Sequence, residues 1–332
     1  MNFDKRYKIG ITGVAGMLGS HLSEKLISEG YKVIGVDNLT VGTIDNLKEV
    51  IDHENFTFYS FDVRNADLLQ NALLNCDLIV HLAAVKKVVE AQNSFETLDV
   101  NVKATQNVLE LAKATQAKVI FASTSDVYGI SDKIPFKEDQ DLTIGQSMAK
   151  RWAYAVSKLY CEHLCVSYFK DFNVKVAILR YFGGFSEKSS FTWSGGHVPI
   201  FINQILNDVP VTVHGDGKQT RSMGHADDLA NGTFLAIKNI DKAAGEIINI
   251  GNTEEYSVID SVYLIASILD KDPDSIKIKF IPEKEIFGEY KDLRRRLPDI
   301  SKAKKLLGYF PKVKFREAIK RVSDTIKKVE KV

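Results

Sequence analysis

A chain of 332 residues, 45% of them hydrophobic, exceeds the ~100–200 residues of a usual domain, so one large domain with a smaller lobe is expected. Lys and Arg (44) almost balance Asp and Glu (43), which gives no field favouring nucleic acid or a membrane surface, so an anionic ligand must be met locally. Three cysteines, at 76, 161 and 165, make no disulfide framework, and Cys161-x-x-x-Cys165 lacks the companions of a zinc site. They read as core or helix residues in a reducing cytoplasm, with no metal. The start from Met1 to Arg6 runs into a strand, and no apolar run approaches ~18 residues, so the chain is expected to be neither exported nor membrane-spanning.

In chain order, short apolar runs alternate with helical patterns, the signature of an α/β fold with a doubly wound parallel sheet of the Rossmann type. The strand candidates are Tyr7 to Thr12, Lys32 to Val36, Thr57 to Phe61, Leu78 to Leu82, Lys118 to Ser123 and Val174 to Leu179. Between them Met17 to Glu29, Ala66 to Asn75, Phe95 to Thr115 and Arg151 to Asp171 read as helices. After Arg180 a Gly- and Ser-rich stretch precedes helical patterns at Val198 to Leu206, Asp227 to Ile237 and Val258 to Leu269, while Ile247 to Ile250 returns to the main sheet. The expected division is therefore 1–181 plus 245–253 for the dinucleotide-binding domain and 182–244 plus 254–332 for a discontinuous α/β substrate lobe. The Trp193-Ser194-Gly195-Gly196-His197 stretch reads equally as a substrate lid or an exposed loop.

Chemistry concentrates in two motifs. Gly13-x-x-Gly16-x-x-Gly19 lies between a strand and a helix, where glycines allow a tight turn, close approach of a pyrophosphate and close helix packing. The helix opening at Met17 and Leu18 offers its N-terminal amides to the phosphates. Asp37, followed by Asn38, ends the next strand 18 positions after Gly19, near the spacing for a carboxylate gripping the adenosine ribose; it would repel a 2′-phosphate, so NAD is favoured over NADP. Asp62-Val63, ending the third strand, is placed to face the adenine. The second motif, Tyr154-Ala155-Val156-Ser157-Lys158, stacks Tyr154 and Lys158 on one helical face at i, i+4. A phenol of reference pKa ~10 becomes a credible proton acceptor when an ammonium and an oxidised nicotinamide favour its phenolate.

With His81-Leu82-Ala83-Ala84, Ser123-Thr124-Ser125-Asp126-Val127-Tyr128-Gly129, Gly215 to Arg221 and Pro298 to Gly308, these motifs resemble the extended short-chain dehydrogenase/reductases acting on nucleotide sugars, over nearly the whole chain. The resemblance implies NAD-dependent oxidation at C4 of a UDP-, dTDP- or GDP-linked sugar. Tyr154 would take the hydroxyl proton, Lys158 would hold the nicotinamide ribose and depress the tyrosine pKa, and Thr124 would bond the same sugar oxygen. His81 and Tyr128 are expected to be structural.

The branches of this family disagree within the chain. Dehydratases carry an Asp-Glu pair where Ser125-Asp126 stands, so only one acid is present. UDP-glucuronate decarboxylases read Thr-Ser-Glu there, a near match to Thr124-Ser125-Asp126, and share an arginine matched by Arg296. The 4-epimerases agree at Ala83-Ala84-Val85-Lys86, where Lys86 would serve cofactor and substrate, but have Asn where Gly183 follows Arg180-Tyr181-Phe182. Arg221 and Arg295 or Arg296 are candidate diphosphate ligands, because a guanidinium grips phosphate oxygens in a fork. Val209 to His214 resembles the strand against the base, and the helices 95–115 and 151–171 are expected to pair two subunits into a homodimer. The simplest outcome is 4-epimerisation; ketone release, elimination, decarboxylation or a non-catalytic dinucleotide-binding regulator are the alternatives.

Overall fold

The computed structural model describes residues 7–86, 94–190, 196–287 and 293–329. Residues 1–6 and the Trp193 to Gly195 part of the lid-or-loop stretch lie outside them. The first half contains β1 (Lys8–Thr12), α1 (Met17–Ser28), β2 (Lys32–Asp37), β3 (Phe56–Ser60), α2 (Ala66–Leu73), β4 (Leu78–His81), α3 (Ser94–Thr115), β5 (Lys118–Thr124), α4 (Trp152–Phe172) and β6 (Val176–Tyr181). All ten elements lie within two residues of their expected bounds. The second half adds β7 (Gly184–Phe185), α5 (His197–Leu206), β8 (Val211–His214), β9 (Thr220–Ser222), β10 (Gly224–His225), α6 (Ala226–Lys238), α7 (Ile240–Ala243) and β11 (Ile247–Ile250). It continues through β12 (Glu255–Ser257), α8 (Val258–Ile268), β13 (Ile278–Ile281), α9 (Glu283–Phe287), β14 (Arg295–Arg296), α10 (Ser301–Leu307) and α11 (Phe315–Val329).

Seven strands make one parallel sheet in the order β11-β6-β5-β4-β1-β2-β3. Helices cover both of its faces, which is why strands such as β4, Leu-Ile-Val-His, are buried throughout and read as unbroken apolar runs. Strand order reverses between β1 and β4, and the crevice at the carboxyl ends beside that switch is where such sheets bind ligands.

One core cluster joins the sheet to α1 and α6 through Ile9, Leu22, Leu78, Leu179, Leu229 and Ile237. A second joins the other face to α3 and α4 through Ile79, Val108, Val119, Cys161 and Cys165. A third, around Val198, Phe201, Val213, Val262 and Ile319, is built from residues of the second half. Packing divides the chain differently from the sequence bounds: Leu229, Phe234 and Ile237 of α6, with Ala303 and Leu307 of α10, join the main-sheet core although 182–244 and 254–332 were assigned to the smaller lobe. Periodicity shows that a helix has an apolar face, not which core that face covers. All three cysteines are buried and unbridged. Among the described residues no helix is long and apolar enough to cross a membrane.

The turn between β1 and α1 is set by close backbone approach. Gly13 has φ +74°, and a Cβ there would lie 2.7 Å from Ala83 N; a Cβ on Gly19 would lie 2.3 Å from Gly13 O. At Gly16 the nearest atom, Gly13 O, is 3.3 Å away. Gly19→Ala is therefore expected to destabilise the protein by about 1–3 kcal/mol, the cost of overpacking against a rigid neighbour. Gly16→Ala should cost less, and chemical denaturation of the two variants checks the order.

Candidate active site

One end of the candidate site is organised by the junction of β5 with α4. Thr124 closes β5 and its Oγ1 accepts the amide of Asp126 at 3.2 Å, so the chain turns at once and buries Ser125 and Asp126 beside the strand end. On α4, Tyr154 and Lys158 stand one turn apart and are 8% and 2% exposed, and the helix stops at Asn173, whose left-handed φ of 58° ends it. A cavity of about 340 Å³ brings Tyr154, Lys158, Thr124, Ser125 and Asp126 together with Arg296 from β14. The same cavity is lined by Gly13, Gly16, Met17, Leu18 and Gly19 of the glycine turn, and by Leu82, Ala84 and Lys86 after β4.

The charges in this cavity are not balanced. Asp126 Oδ1 accepts a hydrogen bond from Arg151 Nη2 at 3.3 Å and another from Arg296 Nη1. Burial works against the Asp126 charge, but Arg296, Arg151 and Lys86 outweigh it and hold the carboxyl well below the usual carboxylate range. Lys86 is exposed along its length, yet its ammonium faces this cluster: burial lowers it, with Arg151 and Arg296 adding to the fall and Asp126 opposing it. Three cations thus surround one carboxylate.

Burial, then the Asp126 charge, push the Tyr154 phenol above its ordinary value, while a hydrogen bond with Thr124 and the Arg151 charge pull it down. Burial brings the Lys158 ammonium down to about 8 despite Cys161, Cys165 and Glu162. Lys158 Nζ donates to Ala122 O at 2.7 Å, and the protein groups that lower the tyrosine are Thr124 and Arg151. His81 is buried, bonded to Thr12 Oγ1 (2.7 Å) and Thr105 Oγ1 (3.2 Å), and lowered to about 3 by burial and Lys158, which makes it a neutral wall of the site.

Other sequence candidates lie off the cavity wall. The carboxylate of Asp37 accepts the amides of Ala15 and Leu39, both at 2.9 Å, and so ties β2 to the glycine turn. Asn38 caps its own turn through Thr40 N, and Ala83 packs its backbone on Gly13. Asp62 pairs with Arg64 on the surface, and Val63 is buried with its carbonyl taken by Asn107. Arg221 donates to Thr220 O and Leu293 O, while Arg295 grips Glu255 at 2.9 and 2.8 Å. Adjacent strand residues point to opposite faces, so β14 can turn Arg296 toward the cavity while Arg295 turns away. Arg151 was missed by the sequence reading, although its place one helical turn before Tyr154 was the available signal.

The residues fit a dinucleotide. The glycine turn lines the cavity with bare backbone, it opens a helix N-terminus toward the cavity, and Asp37 stands behind it through its bond to the Ala15 amide. A family model described as the NAD dependent epimerase/dehydratase family matches residues 9–251. The UDP-N-acetyl-alpha-D-glucosaminuronate decarboxylase of Bacillus cytotoxicus is 32% identical over 322 residues, 96% of this chain and 98% of that protein. The UDP-glucuronic acid decarboxylase 1 of Danio rerio is 35% identical over 317 residues, 95% of this chain and 72% of that protein. The solved UDP-glucuronic acid 4-epimerase of Bacillus cereus, in complex with UDP-glucuronic acid and NAD, matches with a TM-score of 0.86 at 31% identity, covering 97% of this chain and 99% of that one.

Tyr154 is the cavity phenol that stands one turn before Lys158 and within reach of Thr124. Tyr154→Phe is expected to bind NAD as the unaltered protein does but to transfer hydride at least ~10²-fold more slowly, the scale of a lost positioned acid–base group. Single-turnover absorbance of NADH, beside an NAD titration, checks both halves.

Proposed function

The chain belongs to the NAD-dependent epimerase/dehydratase family, and within it we propose that it oxidises C4 of a UDP-hexuronate and then releases the C6 carboxylate as carbon dioxide. One observation carries the choice. Arg296, which matches the decarboxylase branch's arginine, and Asp126, a shorter acid standing where that branch has Glu after Thr-Ser, lie 170 residues apart in the chain and are bonded to each other beside Tyr154. Both of the enzymes named above as decarboxylases act on uronates by their names, and the excess of Lys86, Arg151 and Arg296 over Asp126 is the field that draws a sugar carboxylate to this end of the cavity.

In this reading Thr124 Oγ1 and Tyr154 Oη converge on the C4 hydroxyl, and Tyr154 takes its proton. Bound NAD supplies the hydride acceptor and a ring charge that favours the Tyr154 phenolate. The resulting C4 ketone stands β to the C6 carboxylate. The C5–C6 bond breaks, its electron pair enters the ketone as an enolate, and carbon dioxide leaves; Tyr154, now protonated, and Thr124 hydrogen-bond the enolate oxygen. A proton from water added at C5, then return of hydride to C4 with the proton held by Tyr154 passing back to the C4 oxygen, complete the product. Asp126, held ionised by its arginines, is a poor acid for expelling a hydroxyl, which argues against elimination.

The sequence expectation of 4-epimerisation of a nucleotide-linked hexose stays as the second reading, and the Bacillus cereus neighbour favours a form of it in which a uronate is bound and keeps its carboxylate. Incubation with UDP-glucuronic acid and UDP-N-acetylglucosaminuronic acid, followed by NMR and mass analysis, separates them. Loss of carbon dioxide with a pentose-type product is expected; an unchanged mass with inverted C4 would establish the epimerase. Conversion of UDP-glucose with neither uronate touched would overturn the uronate assignment. Arg296→Met should slow conversion by ~10²-fold or more, since it strips a charge-bearing donor from the reacting end.

The homodimer belongs to the same proposal. Phe95 and Leu98 on α3, with Val156 and Tyr160 on α4, are exposed apolar residues at i, i+3 and i, i+4 spacing on two helices that pack side by side. Two such pairs would bury each other about a two-fold axis. Light scattering at micromolar concentration is expected to give twice the chain mass of 37.1 kDa, and Tyr160→Glu should shift it toward one.

A further inference from the structure

Three consecutive residues at the end of β5 are tied to three consecutive turns of α4. Thr124 hydrogen-bonds Tyr154, Ala122 O accepts from Lys158 Nζ at 2.7 Å, and Ser123 Oγ donates to Glu162 Oε1 at 2.5 Å. Tyr154, Lys158 and Glu162 follow one another at i, i+4 and i+8, so they share one helical face. Glu162 does not line the cavity, and its carboxylate is closed by Arg180, whose Nε reaches Oε1 at 2.9 Å and whose Nη2 reaches Oε2 at 2.7 Å. Ser123, Glu162, Arg180 and Lys158 are 4%, 3%, 2% and 2% exposed, so this network is shut off from water.

The network runs on across the sheet. Ser123, Arg180 and Asn249 stand in one register row on β5, β6 and β11. The Arg180 guanidinium lies 4.8 Å from the centre of the Tyr128 ring, and the Tyr128 hydroxyl donates to Asn249 Oδ1 at 2.7 Å. A buried ion pair is weak evidence for stability, since apolar residues of similar shape would serve as well or better. Its position is what distinguishes this one.

We propose that Glu162 is a positioning residue of the hydride-transfer site: held by Arg180, it fixes the α4 face against β5 through Ser123 and sets the charge felt by the buried ammonium of Lys158. This rests on Tyr154 and Lys158 being the hydride-site pair, and it does not depend on which sugar is bound. The groups facing Lys158 are Cys161, Cys165 and Glu162 on its own helix, His81 on β4, the Phe121 ring at 4.8 Å and the Ala122 carbonyl on β5, and, through Glu162, Arg180 on β6. Among these the Glu162 carboxylate is the one group ion-paired to a guanidinium, so opposite substitutions in that pair move Lys158 in opposite directions.

The experiment is a pH titration of Lys158 in the full chain carrying ¹³Cε-lysine, its signal identified by loss in Lys158→Met. Glu162→Gln keeps the volume and one acceptor but removes the negative charge, so Lys158 is expected to lose its proton about one pH unit lower than in the unaltered protein. Arg180→Gln leaves the Glu162 charge uncompensated and is expected to raise it by a similar shift. Ser123→Ala changes no charge and should leave the titration in place while lowering kcat several-fold with KM little altered. With a turned-over sugar, the alkaline limb of the kcat profile should follow the same two directions. If both charge variants leave Lys158 where it was and lower only the melting temperature, Glu162 is an ion pair of the core and the proposal is overturned. Should Glu162→Gln yield no folded protein, Arg180→Gln decides alone: an upward shift supports the proposal and no shift overturns it. A protein that converts no UDP-uronate would defeat the substrate reading and leave this titration fully interpretable.

Discussion

The fastening of α4 to the end of β5 is the constraint around which the rest of the molecule is arranged. A helix carrying a tyrosine and a lysine for chemistry must hold both to within a fraction of an ångström of a fixed strand end, because a small misplacement of reacting groups is costly in rate. Here the helix is held by side-chain to strand-end bonds rather than by apolar packing alone, and each of these bonds is shut away from solvent. Low local polarizability strengthens such bonds and equally penalises any that go unmade. The glycine turn, the wall after β4 and the late strand β14 are then brought to this fixed line from three other directions.

The second organising fact is electrostatic. A chain with a net charge of only +1 concentrates positive charge where the sugar's reacting end would lie, by placing Arg151, Arg296 and Lys86 about one buried carboxylate. Asp126 keeps the two arginines oriented and keeps their mutual repulsion tolerable. In the uronate reading proposed above, an incoming carboxylate would meet a site already shaped for an anion, with a resident acid held ionised by its arginines.

Much of this was legible in the sequence where the relevant geometry is local. The glycine turn and the Tyr154–Lys158 pair depend on contacts within a turn or two, and alternating apolar runs gave the sheet its strands. Long-range placement was not legible. Arg221 and Arg295 are chemically as suited to a diphosphate as Arg296, and only strand pairing decides that Arg295 meets Glu255 instead. For the tyrosine, burial and the Asp126 charge from another element raise the phenol, and neither contribution can be read from the local spacing of Tyr154 and Lys158. Likewise α6 and α10 carry apolar faces that fit either lobe until the fold shows which core they cover.

The placement of β11 has a consequence for how the molecule is built. The strand at residues 247–250 pairs with β6 at residues 176–181, after the chain has gone out through the intervening segments and returned. Asn249 on that strand receives the Tyr128 hydroxyl and donates to Phe136 O and Asp299 O, so the floor beneath α4 is closed by a residue synthesised 97 positions after that helix begins at Trp152. Pairings of such sequence separation carry a loop-closure cost before they return any energy, and they slow folding. A growing chain can therefore assemble the glycine turn and its first six strands early, yet the support under Arg180 and Tyr128 is completed only when residue 249 docks. Completion of the sheet is a late event, and Arg296 on β14 follows it into the cavity later still.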